Sequence, residues 1–153
     1  MTLPAGLRRD LDPICALLEE ATTMTLATRA PDGTPRATPV YFAADESLRL
    51  VFVSDPDSAH SRNLAASPHA SAAIYPEERD WRKLRGVQMT GQACMLEGGG
   101  AESARREFAR RFPFVSELAA AMAASRVYAF TPSWVRWIDN RRGFGFQQEW
   151  TLA

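Results

Sequence analysis

Short segments in which apolar and polar residues alternate recur along this chain, separated by turn-forming residues, and they constrain its fold most strongly. In the longest segment, Leu84–Leu96, the apolar Val87 and Met89 alternate with the polar Gln88 and Thr90. A period of two residues is typical of a strand with one buried face. Strands do not alternate regularly with helices, so a doubly wound parallel sheet is excluded. The pattern predicts an α+β fold with an antiparallel, barrel-like sheet and peripheral helices.

The first helix is expected to start at Asp12, an N-cap residue, with Pro13 in the first turn. One strand candidate, Leu48–Val53, is apolar on both faces because Val51 and Val53 accompany the other apolar set. Such a strand needs a cover beyond its own core, which a partner subunit or a ligand would provide. Further strands are expected at Thr23–Leu26, Pro35–Phe42, Ala70–Tyr75, Val127–Thr131, Val135–Asp139 and Phe146–Leu152, and further helices at Asp57–Ala66, Ala101–Phe112 and Val115–Ala124.

Length and charge narrow the class of protein. The 153 residues predict a single domain spanning residues 1–153. Lys+Arg and Asp+Glu are 18 each, and a net charge of zero gives no general attraction to nucleic acid or acidic membranes. No segment approaches the roughly 20 apolar residues of a membrane span. A soluble, cytoplasmic protein without nucleic-acid or membrane partners is expected.

The cysteines and histidines predict no metal site. Cys15 and Cys94 form no CxxC pair, so two reduced, mostly buried thiols are expected. His60 and His69 have no metal-ligand spacing. No nucleophile elbow and no zinc-protease motif is present, and no catalytic residue is identified. The arginines between positions 105 and 111 are interpreted as the solvated face of a helix.

A strand that leads through a turn into a helix carries a candidate phosphate site. Unpaired N–H groups and the positive dipole end at the start of a helix attract phosphate. Hydroxyl groups and a cation would add to this attraction. Alternatively, the serines only cap the helix and the charged groups are solvated. The candidates are Ser54, Ser58, His60, Ser61 and Arg62.

Two further polar residues are candidate ligand contacts. Gly86 and Gly91 suggest bulges, or a close approach by a backbone or a planar ligand, on the strand that carries Gln88. The Gln88 amide suits the polar edge of a flavin ring, although a solvent-facing position is equally consistent. Trp134 and Trp137 are expected on opposite faces of a strand, and Asn140 belongs to the turn that follows. A ligand role for Asn140 is a weaker hypothesis than one for Gln88.

Taken together, these segments resemble the pyridoxamine 5′-phosphate oxidase-related FMN-binding split-barrel superfamily, and within it the YhbP-like branch. The resemblance covers nearly the whole chain and is strongest in the second half. In the first half it rests on a strand, a Pro-Asp-Gly turn, a strand ending in Pro39–Phe42, and Ser-Asp-Pro-Asp-Ser. In the second half it rests on Leu84–Gly91, Leu96–Gly98, Arg110–Pro113 and Ile138–Gly145.

The resemblance implies a split barrel that forms a homodimer, with one FMN in each of two clefts between the subunits. It places the flavin against the strand that includes Thr38, Pro39, Val40 and Tyr41. It places the phosphate at Ser54 and the segment Ser58–Arg62. It also implies that the strand of Gln88 lines the ring, and that the Asn140 region approaches from the other subunit.

Two departures from the family pattern argue against oxidation of pyridoxamine phosphate itself. The usual Arg-Lys pair of the phosphate segment is replaced by Ala59-His60, and the C-terminal Arg-Leu-His motif by Trp137-Ile-Asp139. An FMN-dependent oxidoreductase acting on an unidentified small molecule is the leading hypothesis. The alternatives are an F420-binding or haem-binding split barrel, with His60 or His69 as the axial ligand of haem, and a non-catalytic flavin-binding or sensor protein.

Overall fold

This computed structural model describes residues 5–152. Helices and strands interchange along the chain without a βαβ repeat, and three short 3₁₀ segments connect them at Trp81–Lys83, Pro113–Leu118 and Asn140–Arg142. The helices are α1 (Ala5–Glu20), α2 (Ala59–Ala66), α3 (Gly98–Arg111) and α4 (Ala119–Ala124). The strands are β1 (Thr23–Arg29), β2 (Pro35–Tyr41), β3 (Ala43–Ala44), β4 (Leu50–Ser54), β5 (His69–Ile74), β6 (Arg85–Met95), β7 (Arg126–Asp139) and β8 (Gln147–Thr151).

The strands form one antiparallel sheet in the order β2-β1-β5-β6-β7-β4-β3, and β8 pairs with β7 off this path. The sheet curls into a half-barrel, and the helices lie around it. This architecture confirms the predicted α+β split barrel with peripheral helices. None of the described helices is both long and apolar enough to cross a membrane.

The core lies inside the curled sheet, where α1 covers it. Ile14 and Leu17 of α1 are fully buried and belong to the same apolar cluster as Leu26 and Phe130 of the sheet. The predicted alternation in β6 is confirmed, because Val87, Met89 and Ala93 are buried whereas Gln88, Thr90 and Gln92 are exposed. The sheet therefore has a buried inner face and an outer face of mostly small and polar side chains.

The prediction that the first helix starts at Asp12 is wrong, because α1 starts at Ala5 and includes Pro13 in its interior. Proline removes one helical hydrogen bond and usually ends or kinks a helix. Here the apolar face that buries Leu11, Ile14 and Leu17 continues across the proline. Burial of three large side chains stabilises the helix by more than the lost hydrogen bond costs.

The predicted burial of both faces of the strand Leu48–Val53 is confirmed, but the expected cause of this burial is wrong. Val51 of β4 is buried in a second cluster with Val127 of β7 and Ala104 of α3. The helix α3 of the same chain thus covers this face. No partner subunit or ligand is needed to explain it, and the strand gives no support for a dimer.

In the last part of the chain the structure has one long strand where the sequence predicts two. Two expected strands, Val127–Thr131 and Val135–Asp139, are one strand, β7, that includes Pro132. Pro132 lies opposite Gly91, where the pairing with β6 shifts register. Proline cannot donate a hydrogen bond and is tolerated in strands at such bulges. The expected helix Val115–Ala124 is a 3₁₀ segment followed by the short α4.

Two arginines of α3 bind backbone carbonyl groups, so the interpretation of all these arginines as solvated is wrong. Arg111 donates to the carbonyl oxygens of Leu18, Glu19 and Ala21, which lie at and just beyond the end of α1. Arg105 donates to two carbonyl oxygens near the end of α4. Both side chains satisfy acceptors that a helix terminus leaves without a partner.

The prediction of two mostly buried thiols is wrong for one of them. Cys15 is half-buried on α1, whereas Cys94 is exposed near the end of β6. Cys94 has the same strand parity as Gln88 and therefore belongs to the outward-facing set.

Candidate functional site

Four of the predicted phosphate-binding residues form one hydrogen-bonded cluster at the junction of β4 and α2. The Ser54 hydroxyl at the end of β4 lies 2.5 Å from Nε2 of His60. Ser58 is the N-cap of α2, and its Oγ accepts a hydrogen bond from the Ser61 N–H at 3.3 Å. The Ser58 hydroxyl donates to Ser61 Oγ at 2.8 Å and lies 3.3 Å from the His60 ring. The three hydroxyls and the imidazole thus surround the start of the helix.

The imidazole of this cluster is electrically neutral at neutral pH. Burial lowers the pKa of His60 below its usual value of 6.5 because the charged form loses hydration. No carboxylate hydrogen-bonds to the imidazole in the part of the chain that the structure describes. A neutral imidazole presents one donor and one acceptor nitrogen. The cluster therefore offers hydroxyl and imidazole hydrogen bonds, and it gains a positive charge only if His60 takes up a proton.

Arg62 is the nearest cation to the cluster in sequence, and its side chain is exposed. It forms no ion pair with any of the described residues. The helix itself is anchored one residue later, where Asn63 donates from Nδ2 to Thr28 Oγ1 of β1 at 3.1 Å and both side chains are buried. Arg62 is thus a free guanidinium on a fixed helix.

The four predicted flavin-contact residues of β2 occupy an edge strand. Pro39 pairs with Thr25 of β1, and Thr38 and Val40 are half-buried on the opposite face of the strand. Tyr41 is 47% exposed, and its ring packs against Phe112 and Phe114 at centroid distances of 5.2 and 5.0 Å. Main-chain groups at the outer edge of β2 remain open to a ligand or partner.

Gln88 projects from the outer face of β6 and is oriented by a charged neighbour. Its Oε1 accepts a hydrogen bond from Nη1 of Arg136 at 3.4 Å. The Arg136 guanidinium is itself paired with Glu149, at 2.6 Å between Nη2 and Oε1. Because the oxygen of the amide is engaged, Gln88 presents its NH₂ group as the free donor. It lines a cavity of about 270 Å³ with Trp134 as one wall.

Asn140 is buried and holds together the loops at one end of the sheet. Its Nδ2 donates to the Trp81 carbonyl at 2.7 Å, and its Oδ1 accepts from the Gly145 N–H at 3.0 Å. The glycines on either side of Phe144 have positive φ, and this side chain is 83% exposed. Within one chain the amide of Asn140 supports the loop, and Phe144 is the group that the loop presents outward.

The structure brings the serine–histidine cluster together but does not bring it to Gln88. Ser54, Ser58, His60 and Ser61 make mutual contacts, whereas none of them lines either cavity on the outer face. In the sheet order β2-β1-β5-β6, Gln88 lies three strands away from the β2 residues, roughly 14 Å. All predicted residues could reach one ligand only if that ligand, or a second subunit, spanned these surfaces.

The sequence analysis missed a larger cavity on the outer face, of about 640 Å³. Its position follows from strand pairing, since alternation shows which residues face outward but does not show which strands are neighbours. The outward parity of β1 and β5 was the available signal. The lining residues are Ala27, Thr28, Arg29, His69, Ala70, Ser71, Thr90, Gly91, Gln92, Thr131, Pro132, Ser133 and Leu152.

Comparison with known proteins gives one consistent family. The pyridoxamine 5′-phosphate oxidase family model matches residues 12–139. A UPF0306 protein, YhbP, of Salmonella paratyphi A is 26% identical over 110 residues, which are 72% of this chain and 71% of the relative.

Many solved structures share the fold. A heme binding protein from Mycobacterium smegmatis is 25% identical with a TM-score of 0.76; the alignment covers 99% of this chain and 60% of that protein. A protein from Clostridium acetobutylicum, related to general stress protein 26 and described as of the pyridoxinephosphate oxidase family, is 11% identical with a TM-score of 0.72. That alignment covers 95% of this chain and 96% of that protein.

Proposed function

Because this chain belongs to the pyridoxamine 5′-phosphate oxidase family, in its YhbP-like branch, we propose that it binds FMN and acts as an oxidoreductase on a small molecule. The observation that carries this proposal is the cluster of Ser54, Ser58, Ser61 and His60 at the start of α2. Its hydroxyls, the first N–H groups of the helix and the free Arg62 form a donor set suited to a phosphate group.

Each residue has a separate task in this proposal. Ser54 and Ser58 donate to phosphate oxygens, and Arg62 supplies a permanent positive charge from the next turn. His60 takes up a proton when a dianionic phosphate arrives, since a nearby negative charge favours the protonated imidazole. Gln88 donates its free NH₂ group to an acceptor on the ring edge. A bound flavin supplies the redox chemistry, and no side chain needs to be a strong acid or base.

We further propose that the protein is a homodimer with the cofactor clefts between subunits. The separation of Gln88 from the α2 cluster supports this arrangement, because a second subunit supplies the surface that one chain lacks. The exposed Phe144 and the open edge of β2 are groups that such a partner would cover. Sedimentation analysis at micromolar concentration tests this; a monomer that binds FMN would reject the dimer and leave the cofactor proposal standing.

The pH dependence of affinity tests the phosphate assignment most sharply. The pKa of His60 lies below 6.5 in the free protein and is expected to lie higher beside a phosphate dianion. Between those two pKa values, binding takes up a proton, so FMN affinity rises as pH falls, by up to about tenfold per pH unit. Titrations above pH ~6, where the phosphate stays largely dianionic, avoid interference from the ligand.

Riboflavin and two variants provide the controls. Riboflavin lacks the phosphate, so its affinity is expected to be independent of pH, and His60→Gln is expected to abolish the pH dependence for FMN. Arg62→Gln is expected to weaken FMN about tenfold with little effect on riboflavin. Arg110→Gln, which neutralises an exposed arginine of α3, is the matched control and should change neither. Equal losses for both ligands would show that the α2 cluster does not bind the phosphate.

Haem is the second candidate ligand. It is favoured by the 25% identical Mycobacterium smegmatis protein, which is described as heme binding. His60 and His69 are the only histidines in the sequence. The absorption spectrum of the purified protein, and titrations with FMN, F420 and haem, separate these ligands. A Soret band that disappears in His60→Gln or His69→Gln, with no flavin uptake, would replace FMN by haem. Bound flavin that neither NADH nor NADPH reduces would indicate a non-catalytic flavin protein.

A further inference from the structure

Polar side chains on the outer face of the sheet form a row across four neighbouring strands. His69 of β5 pairs with Gln92 of β6, and Gln92 pairs with Thr131 of β7. In the antiparallel pairing of β1 with β5, Ala27 lies opposite Ser71. Two residues further along each strand the same register brings Arg29 next to His69, so Arg29 extends the row. Directly paired residues point to the same side of a sheet. All four side chains line the 640 Å³ cavity.

The cavity carries positive charge without a compensating carboxylate. Arg29 and His69 are exposed at its rim, and neither forms an ion pair or side-chain hydrogen bond with a residue in the described range 5–152. No aspartate or glutamate is among the described residues that line it. By contrast, Arg136, near the adjoining 270 Å³ cavity, is neutralised by Glu149. The unpaired guanidinium of Arg29 is therefore the charge that this cavity offers to a ligand.

The remaining wall supplies hydrogen-bond donors. Ser71 and Thr90 pair across β5 and β6 on the outward side, and Thr131 and Gln92 continue the polar lining. The register shift at Gly91 brings Pro132 opposite this glycine and places Ser133 at the cavity, where its hydroxyl donates to the Thr90 carbonyl at 3.3 Å. A bulge that redirects side chains is common beside binding sites.

We propose that this cavity, defined by Arg29, His69, Gln92 and Thr131, is a binding site for a small polar molecule with a phosphoryl or carboxylate group held by Arg29 and His69. A guanidinium can donate two hydrogen bonds to an oxyanion, and the imidazole adds a third donor. The hydroxyl and amide groups of the wall bind the polar remainder of the molecule. The volume lies within the usual range for small-molecule sites. The proposal does not depend on FMN, because the α2 cluster lies outside this cavity.

The two histidines make the test direct. The two histidines give one Cε1–Hε1 signal each in a ¹H–¹³C NMR spectrum, and these signals are assigned with His60→Gln and His69→Gln. Pyrophosphate and, separately, malonate are titrated into the full chain at constant ionic strength, with chloride as the control salt. The His69 signal is expected to shift to saturation with at least one of them.

Two variants distinguish a site from general charge effects. Arg29→Gln is expected to weaken anion binding about tenfold or more. Arg36→Gln is the matched control, because Arg36 is exposed on β2 but pairs with Thr28 and so has the opposite strand parity from Arg29. It should leave the affinity unchanged.

The outcomes separate this proposal from the FMN proposal. Saturation with pyrophosphate alone identifies a phosphoryl ligand, and saturation with malonate alone identifies a carboxylate. If the His69 signal does not move, shifts linearly without saturation, or responds equally in Arg29→Gln, the cavity is not an anion site. A saturating shift of His60 alone would also overturn this proposal while supporting the phosphate site at α2.

Discussion

Replacing Gly91 by alanine is expected to destabilise the sheet at the bulge between β6 and β7. A Cβ atom at this position would lie 2.1 Å from the Thr131 carbonyl oxygen and 2.8 Å from the Pro132 Cα atom. Real Cβ contacts essentially never fall below 3.0 Å, so the β7 backbone must move by about 0.9 Å. Backbone atoms of a paired central strand cannot rotate away as a flexible side chain could. The strain therefore acts on the pairing itself.

The magnitude follows from what that movement breaks. A shift of this size breaks or severely distorts roughly two interstrand hydrogen bonds, each of which contributes about 0.5–1.5 kcal/mol to stability. Overpacking of a closely packed region adds about 1–3 kcal/mol. We expect Gly91→Ala to lower the free energy of unfolding by about 2–6 kcal/mol. For a chain of this length the melting temperature would fall by roughly 4–24 °C.

Gly100→Ala is the matched control for this prediction. Gly100 lies in the first turn of α3, and a Cβ there would meet no atom within 4 Å. Alanine favours the helix over glycine, so this variant should be unchanged or more stable by up to about 1 kcal/mol. Urea unfolding followed by tryptophan fluorescence measures both variants. A Gly91→Ala protein within 0.5 kcal/mol of the wild type would refute the proposed close approach.

Two further predictions concern hydrogen bonds made by charged side chains. Arg111→Met is expected to lose about 1–3 kcal/mol of stability in urea unfolding, because three carbonyl groups around the end of α1 lose their donor. Arg110 is exposed, so the control Arg110→Met should stay within about 0.5 kcal/mol of the wild type. Equal effects of the two substitutions would show that loss of charge, and not loss of the capping hydrogen bonds, lowers the stability. Hydrogen bonds from Arg141 hold the pKa of the buried Asp139 below its usual 3.8, so this carboxylate contributes stability above pH 3.8 that is lost as pH falls through its folded-state pKa. Asp139→Asn should therefore be less stable than the wild type at pH 7 by about 1–2 kcal/mol and approach it in acid, whereas a difference independent of pH would contradict the carboxylate's role.

The two proposed anion sites differ in the origin of their charge. At the start of α2 the imidazole of His60 is partly buried and neutral, so His60 must take up a proton from solvent when a phosphate dianion binds. At the outer cavity, Arg29 is exposed and charged before any ligand arrives. We expect binding at α2 to depend on pH through His60, and binding at the outer cavity to persist at alkaline pH through Arg29.

Several features of the fold could be predicted from the sequence because they depend on neighbouring residues alone. The alternation around Val87 and Met89 identified the inner face of β6, and the structure confirms it. Capping of the helix by serine was one of the two interpretations of this segment, and Ser58 does accept the Ser61 N–H. Strand periodicity and capping follow from backbone geometry over a few residues, so the local sequence carries them.

Other features were decided by contacts between distant parts of the chain. Pro13 looked like a helix start, yet the burial of Leu11 and its neighbours continues the helix through it. The sequence predicts a partner subunit or a ligand over Val51, but α3 of the same chain covers it. Arg111 appeared solvated, but the end of α1 lies within its reach.

The outer cavity shows the same division between sequence and tertiary structure. The sequence predicts strands at Thr23–Leu26 and Ala70–Tyr75, and continuing their alternation gives Arg29 and His69 the outward-facing parity that the structure shows. It did not determine that β1 and β5, separated by α2 and three other strands, become neighbours. Periodicity specifies the face of a residue, whereas the order of strands depends on packing of the whole core. Only that order places Arg29 and His69 in one row.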